Sequence, residues 1–91
     1  MNQRRSNIEI ISEMLRIGAD GAGKTEIMYG ANMSYSQIQK YLKYLISQDL
    51  IDKVELGNPS ITYIVTEKGR RLRKSIDTVL EVLNFKDSED K

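Results

Sequence analysis

The sequence contains no cysteine and no histidine. Disulfides, Cys/His metal sites, thiol nucleophiles and imidazole acid–base chemistry are therefore all excluded. No run of about 18 apolar residues is present, which excludes a membrane-spanning helix. The N-terminus lacks the apolar core of a secretory signal, so a cytoplasmic location is expected. No segment repeats, and none is of low complexity.

What is present fits one small helical domain. The chain has 91 residues, 40% hydrophobic and 30% charged. A domain of this size buries somewhat over half of the surface its unfolded chain exposes, so its own core is modest. The formal net charge is only +1, but it is unevenly spread. Residues 1–33 carry four basic and four acidic groups, residues 34–74 eight and four, and residues 75–91 two and five. The middle of the chain is thus at +4 and the end at −3, a polarity that points weakly toward an anionic partner.

Along the chain, residues 1–5 are polar and read as a flexible terminus. Ser6 with Glu9 forms a capping box that opens a first helix, whose apolar stripe is Ile8, Ile11, Met14 and Leu15 and which stops at Gly18. A glycine-rich loop follows, then a short helix from about Thr25 to Ala31, ended by Asn32 in the left-handed region. Ser34 with Gln37 caps a third helix reaching Gln48, with Ile38, Leu42, Leu45 and Ile46 on its core side. Ile51–Leu56 and Ile61–Val65 flank Gly57-Asn58-Pro59-Ser60 and predict a hairpin. Thr66 caps a last helix in which Leu72, Ile76, Val79 and Leu83 form a heptad-like seam. Residues 85–91 read as a charged tail. The order helix, short helix, helix, hairpin, helix describes an α+β, mostly helical winged helix-turn-helix over residues 6–66. The helix at 67–84 is an addition outside that unit, and its apolar seam, otherwise exposed, motivates reading it as a C-terminal dimerisation helix.

Gly18-Ala-Asp-Gly-Ala-Gly-Lys-Thr25 matches the phosphate-binding loop G-x-x-x-x-G-K-[ST] at every fixed position. That loop works between a buried parallel strand and a helix. Here a capped amphipathic helix precedes it, no βαβ unit follows, and no later strand ends in an Asp suited to Mg²⁺. No nucleotide, metal or other cofactor is expected, and no enzymatic activity. Acidic pairs such as Asp49 with Asp52 have no recognisable cleft and read as solvated surface.

The third helix is the informative element. Opposite its apolar side lie Ser36, Lys40, Lys43 and Ser47, spaced four, three and four apart and flanked by Gln37, Gln39 and Tyr44. Ser, Gln and Lys pair with base edges or phosphates, and no acidic residue lies between Ser34 and Gln48. Tyr41 lies at the core edge. Tyr35 at the helix start is either an apolar staple or a hydroxyl donor to phosphate. Asn58 and Ser60 at the hairpin tip, with Lys53 and Tyr63 on its strands, form either a second contact or a plain solvent-exposed turn. The densest basic run is Lys68, Arg70, Arg71, Arg73 and Lys74. It opens the last helix, where the macrodipole disfavours positive charge; phosphate contact and simple solvation remain equally open for it.

Tyr63-Ile-Val-Thr-Glu-Lys-Gly-Arg-Arg-Leu72 resembles the second wing strand and following helix of winged-helix DNA-binding proteins. Lys24 to Leu42 is similar to the helix-turn-helix of small archaeal proteins, predicted transcriptional regulators that include a ten-kilodalton chromatin-associated type. The resemblance covers about residues 6–83. It implies a homodimer joined through the last helices, with the third helix in the major groove of double-stranded DNA. The candidate DNA-binding set is then Tyr35, Ser36, Gln37, Gln39, Lys40, Lys43, Lys53, Asn58, Ser60, Arg70 and Arg71. The candidate dimer interface is Leu72, Ile76, Val79, Leu80 and Leu83. The expected role is a homodimeric transcriptional regulator acting at the nucleoid. A sequence-independent chromatin-type protein and a winged-helix protein-docking module are the alternatives.

Overall fold

A computed structural model describes residues 6–55 and 60–83. Four helices and one hairpin follow in the order α1 (Asn7–Ile17), α2 (Lys24–Gly30), α3 (Tyr35–Ser47), β1 (Ile51–Glu55), β2 (Ile61–Val65) and α4 (Glu67–Leu83). The expected flexible terminus, the hairpin residues Leu56 to Pro59, Asn84 and the charged tail lie outside the described residues.

The helix starts are set locally. At α1 the Ser6 hydroxyl accepts from the Glu9 backbone N–H at 3.1 Å, and the Glu9 carboxylate accepts from Ser6 N–H at 2.9 Å. At α3 the same reciprocal pair joins Ser34 and Gln37, at 3.2 and 3.1 Å. Each box satisfies two backbone donors that a helix start leaves orphaned. Thr66 caps α4, its hydroxyl accepting from Gly69 N–H at 3.0 Å. Asn32, with φ 56°, makes the left-handed turn between α2 and α3. Gly18 ends α1 as expected, but its φ of −87° is open to any residue, so left-handed freedom is not what that position uses.

One core unites these elements. Met14 and Leu15 of α1, Ile27 of α2, Ile38 and Leu45 of α3 and Ile51 of β1 are fully buried. Val65 and Tyr63 of β2 close the core, and Leu72, Ile46 and Tyr41 pack at its edge. The hairpin is antiparallel, with Ile51 opposite Val65 and Lys53 opposite Tyr63. Side chains alternate across a strand, so Ile51, Lys53, Tyr63 and Val65 share one face, with Lys53 just beyond the core's edge.

The glycine-rich loop is a structural part of the sheet. Ala22 and Tyr63 exchange backbone hydrogen bonds of 3.0 and 2.8 Å, and Val65 N–H donates to the Gly18 carbonyl at 3.1 Å. Gly21, at φ 99°, provides the bend that only glycine adopts readily. The loop's backbone is thereby committed to the edge of β2 rather than folded into an anion cradle, and α1 precedes it where a phosphate-binding loop needs a strand.

Candidate nucleic-acid interface

The polar face of α3 is exposed. Ser36, Gln37, Gln39, Lys40, Lys43, Tyr44 and Ser47 are all open to solvent, while Ile38, Leu42 and Leu45 point inward. Gln37 is partly committed, because its side-chain carbonyl serves the capping box. Its NH₂ group remains as a donor.

Between α3 and the hairpin lies an open groove of about 420 Å³, lined by Lys24, Gln39, Leu42, Lys43, Ile46, Ser47, Lys53 and Tyr63. Three separate elements each supply one lysine: Lys24 from the first residue of α2, Lys43 from α3 and Lys53 from β1. No acidic side chain lines it. Lys24 donates to the Gln39 side-chain oxygen at 2.5 Å and stands over the Tyr35 ring, 5.6 Å from its centroid. Tyr35 is 63% exposed, so it is a platform for this ammonium rather than an apolar staple.

The sequence-derived candidates divide accordingly. Gln39, Lys43 and Lys53 meet at the groove, and Ser36, Gln37 and Lys40 continue the same surface along α3. Tyr35 joins through Lys24. Ser60 is exposed at the start of β2, and Asn58 lies outside the described residues. Tyr63 is only 6% exposed and belongs to the core, and what it shows outward lines the groove beside Lys53. Lys24, which the sequence marks only as a lysine free to touch a phosphate after the glycine-rich loop, joins the α3 candidates here; its signal is a lysine at the first position of the helix preceding α3, directly after the N-cap Gly23.

The basic run of α4 serves the fold more than the groove. Lys68 donates to the Gln48 carbonyl at 2.9 Å, neutralising the C-terminal end of α3. Arg70 donates to the Ala19 carbonyl at 3.2 Å and so pins the glycine-rich loop. Arg71 lies 3.8 Å from Glu67, and Arg73 3.4 Å from Asp77. Neither Arg70 nor Arg71 lines the groove.

The α4 seam is also divided. Ile76 is 8% exposed within the single chain, where α4 packs along α1, and Leu72 is half-buried against the core. A Ser12–Asp77 hydrogen bond of 2.9 Å reinforces that packing. The intrachain fold thus covers Ile76, which the heptad-like spacing assigns to a partner. Leu80 is half-buried, while Val79, Val82 and Leu83 are exposed. Val82, at 75%, is the most open of these and escapes the sequence pattern because it lies off the heptad line.

A family model described as winged helix-turn-helix matches residues 4–84. The chain belongs to the winged helix-turn-helix family. An uncharacterized protein of Methanocaldococcus jannaschii is 36% identical over 84 residues, which is 91% of this winged helix and 81% of that protein. A second uncharacterized protein of that organism is 32% identical over 81 residues, and this chain spans only 36% of its length. Among solved structures, Sso10a-2, a DNA-binding protein from Sulfolobus solfataricus, superposes with a TM-score of 0.81 at 30% identity, covering 92% of this chain and 87% of that one. Lactococcus lactis ZitR in complex with DNA gives a TM-score of 0.66 at 18% identity over 94% of this chain and 62% of its own, a likeness of fold alone. Among the described residues, no group of acidic side chains is arranged to hold a metal ion, and no helix is long and apolar enough to cross a membrane.

Proposed function

We propose that this winged helix binds double-stranded DNA as a homodimer and regulates transcription, with α3 in the major groove and the hairpin as its wing. The observation that carries this reading is the acid-free surface formed by the outer face of α3 and the three-lysine groove beside it. A phosphate backbone approaching that surface meets Lys24, Lys40, Lys43 and Lys53 and no carboxylate from α3 or the groove wall. The other side chains there are neutral hydrogen-bonders suited to base edges, which favours a sequence reader over a coating protein. The likeness to Sso10a-2, itself a DNA-binding protein, supports the same assignment.

Val79, Val82 and Leu83 leave an apolar strip at the end of α4 that a second α4 would cover. Such a dimer reads two half-sites about one helical turn of DNA, or a multiple of it, apart. Ser60, Arg70 and Arg71 join as peripheral phosphate contacts.

Charge reversal tests the reading. Both Lys40 and Lys43 are exposed and hold no ion-pair partner among the described residues, so Lys40→Glu with Lys43→Glu leaves the fold intact. The double variant loses duplex binding in fluorescence anisotropy at low salt. Unchanged binding would reject the α3 surface and favour a protein-docking role.

A further inference from the structure

Lys24 and Gln39 sit on different helices yet form one hydrogen-bonded unit. A lysine ammonium has donors only, so the glutamine atom that meets it is the carbonyl oxygen, and the amide orientation follows from chemistry. The ammonium is held from a second side by the Tyr35 ring. Tyr35 and Gln39 lie four residues apart on α3, hence on one helix face, and the half-buried Lys24 bridges over both. The surrounding groove holds Lys43 and Lys53 and no carboxylate that could draw Lys24 away.

A free glutamine reads adenine by accepting from N6 and donating to N7. Gln39 is not free in this sense. Its oxygen already accepts from an ammonium, and the remaining lone pair lies beside a full positive charge that repels the electropositive adenine amino group. What the pair offers outward is the glutamine NH₂ and the remaining ammonium protons, all of them donors. Guanine is the base that presents two acceptors, O6 and N7, on its major-groove edge. We infer that Lys24 and Gln39 act together as a donor-only reading unit that selects guanine and rejects adenine at one position of each half-site. The inference rests on the DNA-reading function proposed above and makes Lys24, which lies outside the recognition helix, a specificity-determining residue.

The test is selection from a random duplex pool with sequencing, run on the full chain and on three variants. Wild type retains sites with guanine at one position per half-site. Lys24→Met frees the Gln39 oxygen and moves the preference at that position toward adenine, changing the guanine-to-adenine ratio roughly tenfold. Lys24→Arg keeps the donor and keeps guanine. Gln39→Ala loses the preference without gaining adenine. In the unbound protein, the Gln39 side-chain NH₂ signals stand apart in a ¹⁵N spectrum and shift toward those of the other exposed glutamines in Lys24→Met. A Lys24→Met protein that binds every sequence more weakly but keeps the same base preference makes Lys24 a phosphate contact only and overturns the inference. A wild type that binds DNA with no base preference also overturns it, while leaving DNA binding itself standing. A wild type that binds no duplex at all overturns the proposed function first.

Discussion

Gly69→Ala sets helix propensity against packing, and the structure decides the sign. Alanine is favoured over glycine inside a helix by about 1 kcal/mol, so propensity predicts a gain at this position in the first turn of α4. A Cβ built on Gly69 would stand 2.3 Å from the Leu50 carbonyl oxygen and 2.7 Å from Val65 Cγ1. Ordinary contact begins near 3.4 Å, so α4 must retreat by about 1 Å. The obstacle is backbone, which cannot rotate aside. The same Leu50 oxygen accepts from Thr66 N–H at 3.1 Å, and the Thr66 hydroxyl donates to the Asp49 carbonyl at 2.8 Å. A retreat therefore also stretches the cap of α4. Overpacking costs about 1–3 kcal/mol and a weakened cap about 1 kcal/mol. After the propensity gain, the net loss is about 1–3 kcal/mol, from a total of about 5–15 kcal/mol for a domain of this kind. In a thermal melt followed by circular dichroism, Tm falls by roughly 4–8 °C for each kcal/mol of destabilisation. An unchanged or raised Tm would refute the close approach of α4 to the α3–β1 corner.

Other outcomes follow from the same packing. Gly23 begins α2 with extended backbone, no side-chain cap and open space around its Cβ position, so Gly23→Ser should raise stability by a few tenths of a kcal/mol in urea unfolding. Ile27 is fully buried, and Ile27→Ala should cost about 2–5 kcal/mol, enough to show partial unfolding near 37 °C by circular dichroism. Val79→Asp with Val82→Asp places charge on exposed positions of α4; the variant should keep its helical spectrum yet sediment as a monomer, whereas an unaltered dimer would show that another surface joins the protomers. Isothermal titration with Mg²⁺-ATP should give no heat of binding, because the glycine-rich loop is hydrogen-bonded to β2; a Lys24-dependent signal would contradict that.

The sequence made legible what is determined within a few residues. Ser6 with Glu9 and Ser34 with Gln37 located two helix starts because a capping box closes across three residues. Asn32 located a turn because only a few side chains tolerate positive φ. The buried side of α3 followed from its period. What escaped depends on residues distant in the chain. Tyr63 is core because the Gly18–Ala22 segment and β1 enclose its strand from both edges. Ile76 is covered by α1 rather than available to a partner, and an apolar seam looks alike in either case. Arg70 and Lys68 are drawn to the carbonyls of Ala19 and Gln48, positions far from them in sequence. The α3 surface was found as a stripe, but its organisation around Lys24 was not, since Lys24 and Gln39 meet only once α2 and α3 are packed.

DNA binding at two salt concentrations, with sequencing of what a random duplex pool retains, tests the central claim most directly. The account predicts enrichment of a palindromic site and an affinity that falls with salt. A lysine variant that removes one phosphate interaction should lower the log–log salt slope by about 0.9. Binding that enriches nothing would contradict sequence reading by α3, and no binding even at low salt would contradict the DNA assignment altogether.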